Sequence, residues 1–427
     1  MRNTTNIYVH VLLFACFTVQ FICAQEKPLN LEEVKALALN NNKEIIREQY
    51  NLDAANTAQK GAKTLGKPSL EASAYGIYMK KYPLGLLPDY TLFSTLGVSQ
   101  VLYAGGRINK AKKLASSAVD LQTLQKKRTQ NDVLLNVETT YWQLVNVKGK
   151  VELAQKYQTL LNKLLIDITN LYDAGLTYKN NLLEVQVEAN QAELNLTIGK
   201  DNLLMLKLRL AQLMGMKNTD FDVDGTISDE AQLIQETLVA SAIENRPEIA
   251  MLKNVVEMSN LQADLLKAER KPTLGISFME SYMYGDNLNA TESKDHLTSF
   301  VGLASLHIPI FDWGGRKHRV KEQQFKVEAQ KVELEHTKEL VAIEIQNAYL
   351  ELNQAIKRVE IAKKSLEQSD ENLKLHQDRF DAGTVNGSDV LEAQVLWQHA
   401  FSDLIDANAN YNIRKANYIK AIGEQNI

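Results

Sequence analysis

Side chains able to do covalent or metal chemistry are sparse in this sequence and poorly spaced for it. Both cysteines, Cys16 and Cys23, fall within the first 24 residues. The chain beyond them therefore offers no disulfide, no thiol nucleophile and no thiolate ligand. His296, His307, His318, His336, His376 and His399 show no paired spacing that would grip a metal. No glycine-rich loop is placed to cradle a phosphate. Met279 and Met283 sit on one face of a predicted strand, where packing is the ordinary use and a thioether metal relay the rarer one. The expectation is no catalytic residue, no cofactor and no metal site, hence not an enzyme.

What remains is a pattern of charge. In "RFDAGTVNGSDVLEAQ", residues 379–394, Asp389 and Glu392 stand three apart after two glycines. At that spacing on a helix the two carboxylates share a face. Two readings stay open. Asp389 complements a helix N-terminus beside a solvated Glu392, or the pair presents charge to whatever passes it. A near copy, "LYDAGLTYKNNLLEVQ", occupies residues 171–186, with Asn181 and Glu184 in the matching places.

That copy belongs to a repeat running through most of the chain. "ALALNNNKEI" (36–45) answers "ASAIENRPEI" (240–249), and "VLYAGGR" (101–107) answers "PIFDWGGR" (309–316). "VETTYWQLV" (137–145) answers "IQNAYLELN" (345–353), and from Tyr141 onward the offset is a constant 208 residues. The division is a leader over 1–24, a first repeat over 25–225 and a second over 226–427.

Each repeat has the same predicted order. A half-length helix covers about 31–64 and about 235–269. A pair of period-two strands follows over about 69–103 and 273–310, in which apolar residues alternate with small or polar ones. Gly105-Gly106-Arg107 and Gly314-Gly315-Arg316 then turn the chain into a long helix, about 107–173 and 316–382. Residues 317–382 hold no Gly or Pro, and apolar residues recur three and four apart, as in a coiled-coil seam. Sixty-odd helical residues at ~1.5 Å each would reach on the order of 100 Å. Gly175 and Gly383 suit the left-handed residue that closes a helix. Asn180/Asn181 and Ser388/Asp389 offer caps for return helices over about 182–214 and 388–422. Two half-length helices end to end would match one long helix.

The leader "MRNTTNIYVHVLLFACFTVQFICAQEK" has Arg2, an apolar stretch from about Ile7 to Cys23, and the small residue Ala24. It reads as a secretory signal peptide cut before Gln25. An inner-membrane anchor fits less well, because the stretch is short and carries His10 and Gln20. "LFAC" around Cys16 matches a lipoprotein box only loosely. No later stretch approaches the roughly 18 apolar residues of a transmembrane helix. Net charge is −4, with charged residues (23%) of both signs interspersed, so no basic surface invites nucleic acid.

Four strands cannot close a membrane barrel, and an open edge is not tolerated in hydrocarbon. Four from each of three chains would close as twelve, and ten-residue strands suit a tilted crossing. A soluble β cap on a helical rod stays open on periodicity alone, which would make the chain a periplasmic coiled-coil scaffold or adaptor without a pore.

The doubled order of elements, with "IPIFDWGGR" and "RFDAGTVNGSDVLEAQ" as its sharpest residues, resembles the TolC-type outer-membrane efflux protein family. The resemblance implies an α+β membrane protein: long helical coiled-coil hairpins and four transmembrane strands per chain, closing in a homotrimer as a 12-stranded barrel in outer-membrane lipid and a 12-helix periplasmic tunnel. It implies a Gram-negative outer membrane and a passive exit duct for efflux or type I secretion. Its partners would be a periplasmic adaptor (membrane fusion) protein and an inner-membrane efflux pump or ABC exporter. Asp389 and Glu392, with Asn181 and Glu184 as a less acidic counterpart, would ring the pore constriction. Phe380 and Tyr172 would hold the gate by packing, since the family's arginine is Val385 here. Ala174-Gly175-Leu176 and Ala382-Gly383-Thr384 would be the adaptor-contact tips. Arg107 and Arg316 would fix turns at the junction of barrel and tunnel, and Tyr103 and Phe311 would join an aromatic girdle.

Overall fold

The computed structural model describes residues 28–80, 89–225, 236–289 and 294–424. The expected signal peptide, most of the loop at 80–90 and the tip of that at 285–296 lie outside these residues. Two compact units are present. The first gathers the described parts of 1–43, 131–236 and 347–420; the second gathers those of 44–130, 237–346 and 421–427.

Among the described residues there are eight helices and four strands. They run α1 (Leu31–Asn41), α2 (Lys43–Thr64), β1 (Ser69–Tyr78), β2 (Tyr90–Ala104), α3 (Arg107–Asp173), α4 (Lys179–Leu213), α5 (Val239–Asn245), α6 (Pro247–Ala268), β3 (Thr273–Asn289), β4 (Lys294–His307), α7 (Gly315–Asp381) and α8 (Gly387–Ala421). The long helices α3 and α7 have 67 residues each, and α4 and α8 have 35 each. Every bound of the second pair lies 208 residues after the first.

The half-length helices are not continuous. Asn42 sits in extended backbone (φ −63°, ψ 130°) between α1 and α2, and Arg246 (φ −73°, ψ 127°) between α5 and α6. For Arg246 the cause is local, because Pro247 pushes the preceding residue out of helical backbone. Both breaks also serve a distant partner. The Asn42 side chain donates to the Leu213 carbonyl at 2.9 Å, at the end of α4. Within the second unit, Arg246 Nη1 donates to the Ala421 carbonyl at 3.1 Å, at the end of α8. Each break thus caps a return helix that would otherwise leave carbonyls unpaired. Arg246 is 5% exposed and also grips Glu344 through both of its terminal nitrogens at 3.1 Å. Burial pulls its pKa down, but Glu248 and Glu344 outweigh that and the guanidinium is held charged.

In the first unit α3 carries much of the core. Val137, Tyr141 and Leu144, and again Leu161, Leu164 and Ile168, are buried at three- and four-residue spacings, the aliphatic ones each contributing about 1.5–3 kcal/mol of apolar burial. The Tyr141 hydroxyl donates to the Asp224 carbonyl at 2.6 Å, which ties the segment after α4 to α3. Burial first, then the charge of Asp224, push its pKa up to about 12.

The second unit holds one antiparallel sheet in the order β1-β2-β3-β4. Register puts apolar Leu70, Leu96, Val98, Phe278, Phe300 and Leu306 on one face, every one of them exposed. The other face mixes hydroxyls, with Ser69 facing Ser99 at 2.9 Å and Ser73 facing Thr95 at 2.7 Å, with exposed apolar side chains such as Tyr75, Met279, Val301 and Leu303. β1 and β4 are edges, with no further strand paired to them among the described residues. β4 stops at His307 rather than reaching 310; Pro309 has no N–H for a ladder.

Candidate functional site

Two stretches gather the residues singled out from sequence: the ends of the long helices, in the first unit, and the turns that lead from the sheet into them, in the second.

At the end of α3 the chain closes as a Schellman motif. Leu176 N–H bonds to the Leu171 carbonyl at 2.8 Å and Gly175 N–H to Tyr172 at 2.9 Å, with Gly175 at φ 71°. The end of α7 is built alike: Thr384 to Arg379 and Gly383 to Phe380, both 2.9 Å, with Gly383 at φ 69°. These positive φ values are the reason for glycine at both places. Ala174, Gly175, Leu176 and Ala382, Gly383, Thr384 are all exposed. Leu176 (74% exposed) and its neighbour Tyr178 (82%) project an apolar surface in the first copy. In the second copy Thr384 Oγ1 turns back to the Arg379 carbonyl at 3.0 Å. Tyr178 is missing from the sequence-level site, although an aromatic directly before a helix is a visible signal.

The return helices start earlier than the caps read from sequence. Asn180 and Asn181 are already inside α4, which begins at Lys179 without a side-chain cap; the Asn181 amide reaches back to Thr177 Oγ1 at 3.0 Å. At α8 the cap is Asn386, not Ser388 or Asp389. Asp389 N–H donates to Asn386 Oδ1 at 3.2 Å, and Asn386 N–H donates to Asp389 Oδ2 at 3.0 Å. This is a reciprocal capping box, so Asp389 serves the helix start. Ser388 Oγ instead donates to Glu184 at 2.8 Å, linking the two copies. Glu392 is exposed.

Beneath these turns lies a core of Tyr157, Leu161, Leu164, Ile168, Val390 and Leu391. Phe380 packs against it, whereas Tyr172 is 37% exposed in the single chain. Gly387 lets α8 approach α3 there, for a Cβ on it would meet Ile168 Cδ1 at 2.2 Å. The buried Tyr157 hydroxyl donates to Glu188 at 3.0 Å, and burial followed by that carboxylate push its pKa far up.

The turn from sheet to helix corrects one sequence pairing. Gly105 (φ 62°) and Gly106 (φ 87°) are both left-handed, and their structural counterparts are Trp313 (φ 54°) and Gly314 (φ 86°). Gly315 opens α7, so Arg107 matches Gly315 rather than Arg316, and the two "GGR" strings are one residue out of register. A non-glycine left-handed residue costs about 1–2 kcal/mol. Asp312, unremarked in the sequence, holds the turn: it accepts from Gly314 N–H at 3.2 Å, Arg316 N–H at 2.9 Å and Arg316 Nη1 at 3.2 Å. Arg107 is exposed.

Among the described residues no three His, Cys, Asp or Glu side chains could share a metal. No helix among them is long and apolar enough to cross a membrane. Long helices, return helices and a small four-stranded sheet with open edges, set out in a doubled order, define the class of chain.

The sequence pattern of one family, the outer membrane efflux proteins, matches residues 35–216 and 238–424. The chain belongs to that family and is an outer-membrane efflux protein. It is 21% identical over 413 residues to outer membrane protein TolC of Escherichia coli (strain K12), covering 93% of this chain and 83% of that one. It is 22% identical over 414 residues to toxin and drug export protein A of Aggregatibacter actinomycetemcomitans, covering 91% and 85%. In fold it is similar to the Campylobacter jejuni CmeC outer membrane channel, with TM-score 0.82, 17% identity and coverage of 93% and 87%. It is likewise similar to CusC, with TM-score 0.81, 14% identity and 92% of each chain covered.

Proposed function

We propose that three copies of this chain close into a 12-stranded barrel and a 12-helix tunnel, the passive exit duct of an efflux or type I secretion system. The observation that carries this reading is the sheet: four strands, two open edges and exposed apolar side chains, denser on one face than on the other. Open edges have no partner in hydrocarbon, and closure with other copies supplies one. The more apolar face suits lipid, and the face that carries the Ser69–Ser99 and Ser73–Thr95 hydroxyl pairs suits an aqueous lumen. Glu280 lies on the same register between Leu96 and Phe300, midway along β2 and β4, where a carboxylate turned to lipid is costly.

The exposed tips, with Gly175 and Gly383 allowing close approach and Leu176 as an apolar knob, dock the hairpin of a periplasmic adaptor that couples to an inner-membrane pump or ABC exporter. The duct itself supplies no energy. At the constriction Glu392 carries the ring charge, with Glu184 and Asn181 as the milder set and Asp389 beside it holding the helix start. Phe380 and Tyr172 pack the gate. Rings of carboxylates favour cations.

Detergent-purified protein is expected to run as a trimer and to give step currents in planar bilayers. Recovery as a detergent-free soluble monomer would refute the duct and favour a periplasmic scaffold.

A further inference from the structure

The four chain crossings between sheet and helices lie at one end of the sheet. Ser69 at the start of β1 pairs with Ser99, and Thr273 at the start of β3 pairs with both Ala104 and His307. Gln100 bonds to the Gly66 carbonyl at 3.3 Å, which draws the first crossing to the second. Each crossing carries exposed cations: Lys63 and Lys67 before β1, and Arg107 and Lys113 after β2. Arg270 and Lys271 precede β3, and Lys317 and Lys321 follow β4.

Of the acids nearby, Glu71 on β1 is exposed and in no ion pair among the described residues, and the others are engaged elsewhere. Asp264 takes Lys110 at 2.6 Å and Lys267 at 3.1 Å, Glu269 takes Arg319 at 3.0 Å, and Glu322 takes Lys326 at 2.6 Å. Asp312 is held by Arg316. The eight cations of the crossings form no ion pair among the described residues, so the end of the sheet is left with excess positive charge.

An apolar cluster stands beside them. Ile310 is 92% exposed, Phe311 71% and Trp313 90%, with the two rings 4.9 Å apart and edge to face. Trp313 is the one non-glycine residue with left-handed φ among the described residues. The turn does not need an indole: its counterpart Gly105 adopts the same backbone with no side chain, and a Cβ there would meet Lys271 Cβ at 2.6 Å. Trp313 thus holds a left-handed backbone with its side chain almost fully exposed.

We propose that this end of the sheet is a belt for anionic phospholipid headgroups. Trp313, Phe311 and Ile310 enter the boundary between headgroups and acyl chains, and the cations of the four crossings hold the phosphates. The inference rests on the barrel reading above. Indole rings settle at that boundary, and basic side chains at an anionic leaflet are attracted to it. Free phosphate fits less well, because the cations are spread over four crossings instead of converging and the rings would have no use.

The test uses the full chain with Trp142→Phe and Trp397→Phe, so that Trp313 is the remaining tryptophan. The protein is reconstituted in nanodiscs with bromine on the chains of either phosphatidylglycerol or phosphatidylcholine. Both should quench Trp313, most at shallow bromine positions, and at equal mole fraction phosphatidylglycerol should quench about threefold more strongly. Lys67→Gln, Arg270→Gln, Lys271→Gln and Lys317→Gln together should bring that ratio to about one while quenching persists. Equal quenching by the two lipids in the parent protein would overturn the headgroup preference. Loss of the preference in millimolar glycerol phosphate, but not in chloride of equal ionic strength, would overturn it in favour of a phosphate-ion site. Absent quenching, with the oligomer lost on Trp313→Gly, would overturn it in favour of contact with a second copy. Step currents from the same preparation keep the two readings apart: currents with equal quenching sink the belt alone, whereas no currents sink the barrel.

Discussion

Adding one methyl group at Gly387 tests how the tip is held. A Cβ there would lie 2.2 Å from Ile168 Cδ1 and 2.9 Å from Ile168 Cγ1, where carbon atoms rest at about 3.5–4.0 Å. Cδ1 can swing away about its terminal bond. Cγ1 cannot move without turning a β-branched χ1, which is stiff in a helix, and Ile168 is 0% exposed, so nowhere is open to it. Overpacking of this kind costs about 1–3 kcal/mol, of which the better helix propensity of alanine returns up to about 1 kcal/mol. Gly387→Ala should therefore speed amide exchange at the start of α8 by up to roughly 30-fold. Ile168→Ala alone should cost about 2–5 kcal/mol through the cavity it leaves. Combined, the new methyl enters that cavity: the clash disappears and about 0.8 kcal/mol of burial is regained. The double variant should then be more protected than the sum of the singles by about 2 kcal/mol, or roughly 30-fold in exchange. Exchange measured by mass spectrometry on peptides covering the first turns of α8 reads this directly. Additivity within about 0.5 kcal/mol would refute the contact as the reason for glycine.

Three further outcomes are expected. Glu392→Gln should reduce cation preference in bilayer reversal potentials, whereas Asp389→Asn should leave it nearly intact and cost about 1 kcal/mol of helix-start stability; unchanged selectivity in the first variant counts against Glu392 as the ring charge. Arg246→Ala should lower the thermal midpoint in detergent by the equivalent of about 2–4 kcal/mol, at the low end of the range for a broken buried pair because the Glu344 side chain is 49% exposed, and Arg246→Lys should recover only part of it. Tyr141 holds its proton up to about pH 12 in the folded chain against 10.0 ordinarily. The stability it contributes is therefore complete below pH 10 and is lost as pH rises from about 10 to about 12. Tyr141→Phe should flatten that alkaline decline, and a phenol absorbance titration should lose one late-ionising group.

Much of the architecture is legible in the order of residues. Stretches without Gly or Pro and with apolar residues three and four apart can only bury their stripe as helices, and alternation of apolar with small residues can only serve strands. Gly175 and Gly383 announce helix ends because few other residues tolerate positive φ. The same local reasoning misplaced the caps, since asparagine and serine compete for a cap on nearly equal terms, and the winner at α8 is the residue whose partner, Asp389, can answer it. It also aligned the two "GGR" strings by spelling, when the backbone aligns Gly105 with Trp313.

Local chemistry acts over one or two turns, so the sequence by itself determined the elements and the doubled order. Contacts between residues hundreds of positions apart are invisible to it. Only the tertiary structure decided that Asn42 and Arg246, at the breaks between their helices, cap Leu213 and Ala421, that Gly387 is small for the sake of Ile168, and that Asp389 faces its own helix start. It also decided which sheet face is the more apolar and which side chains are left over at the sheet's end, because strand register and helix approach are settled by the packing of the whole unit.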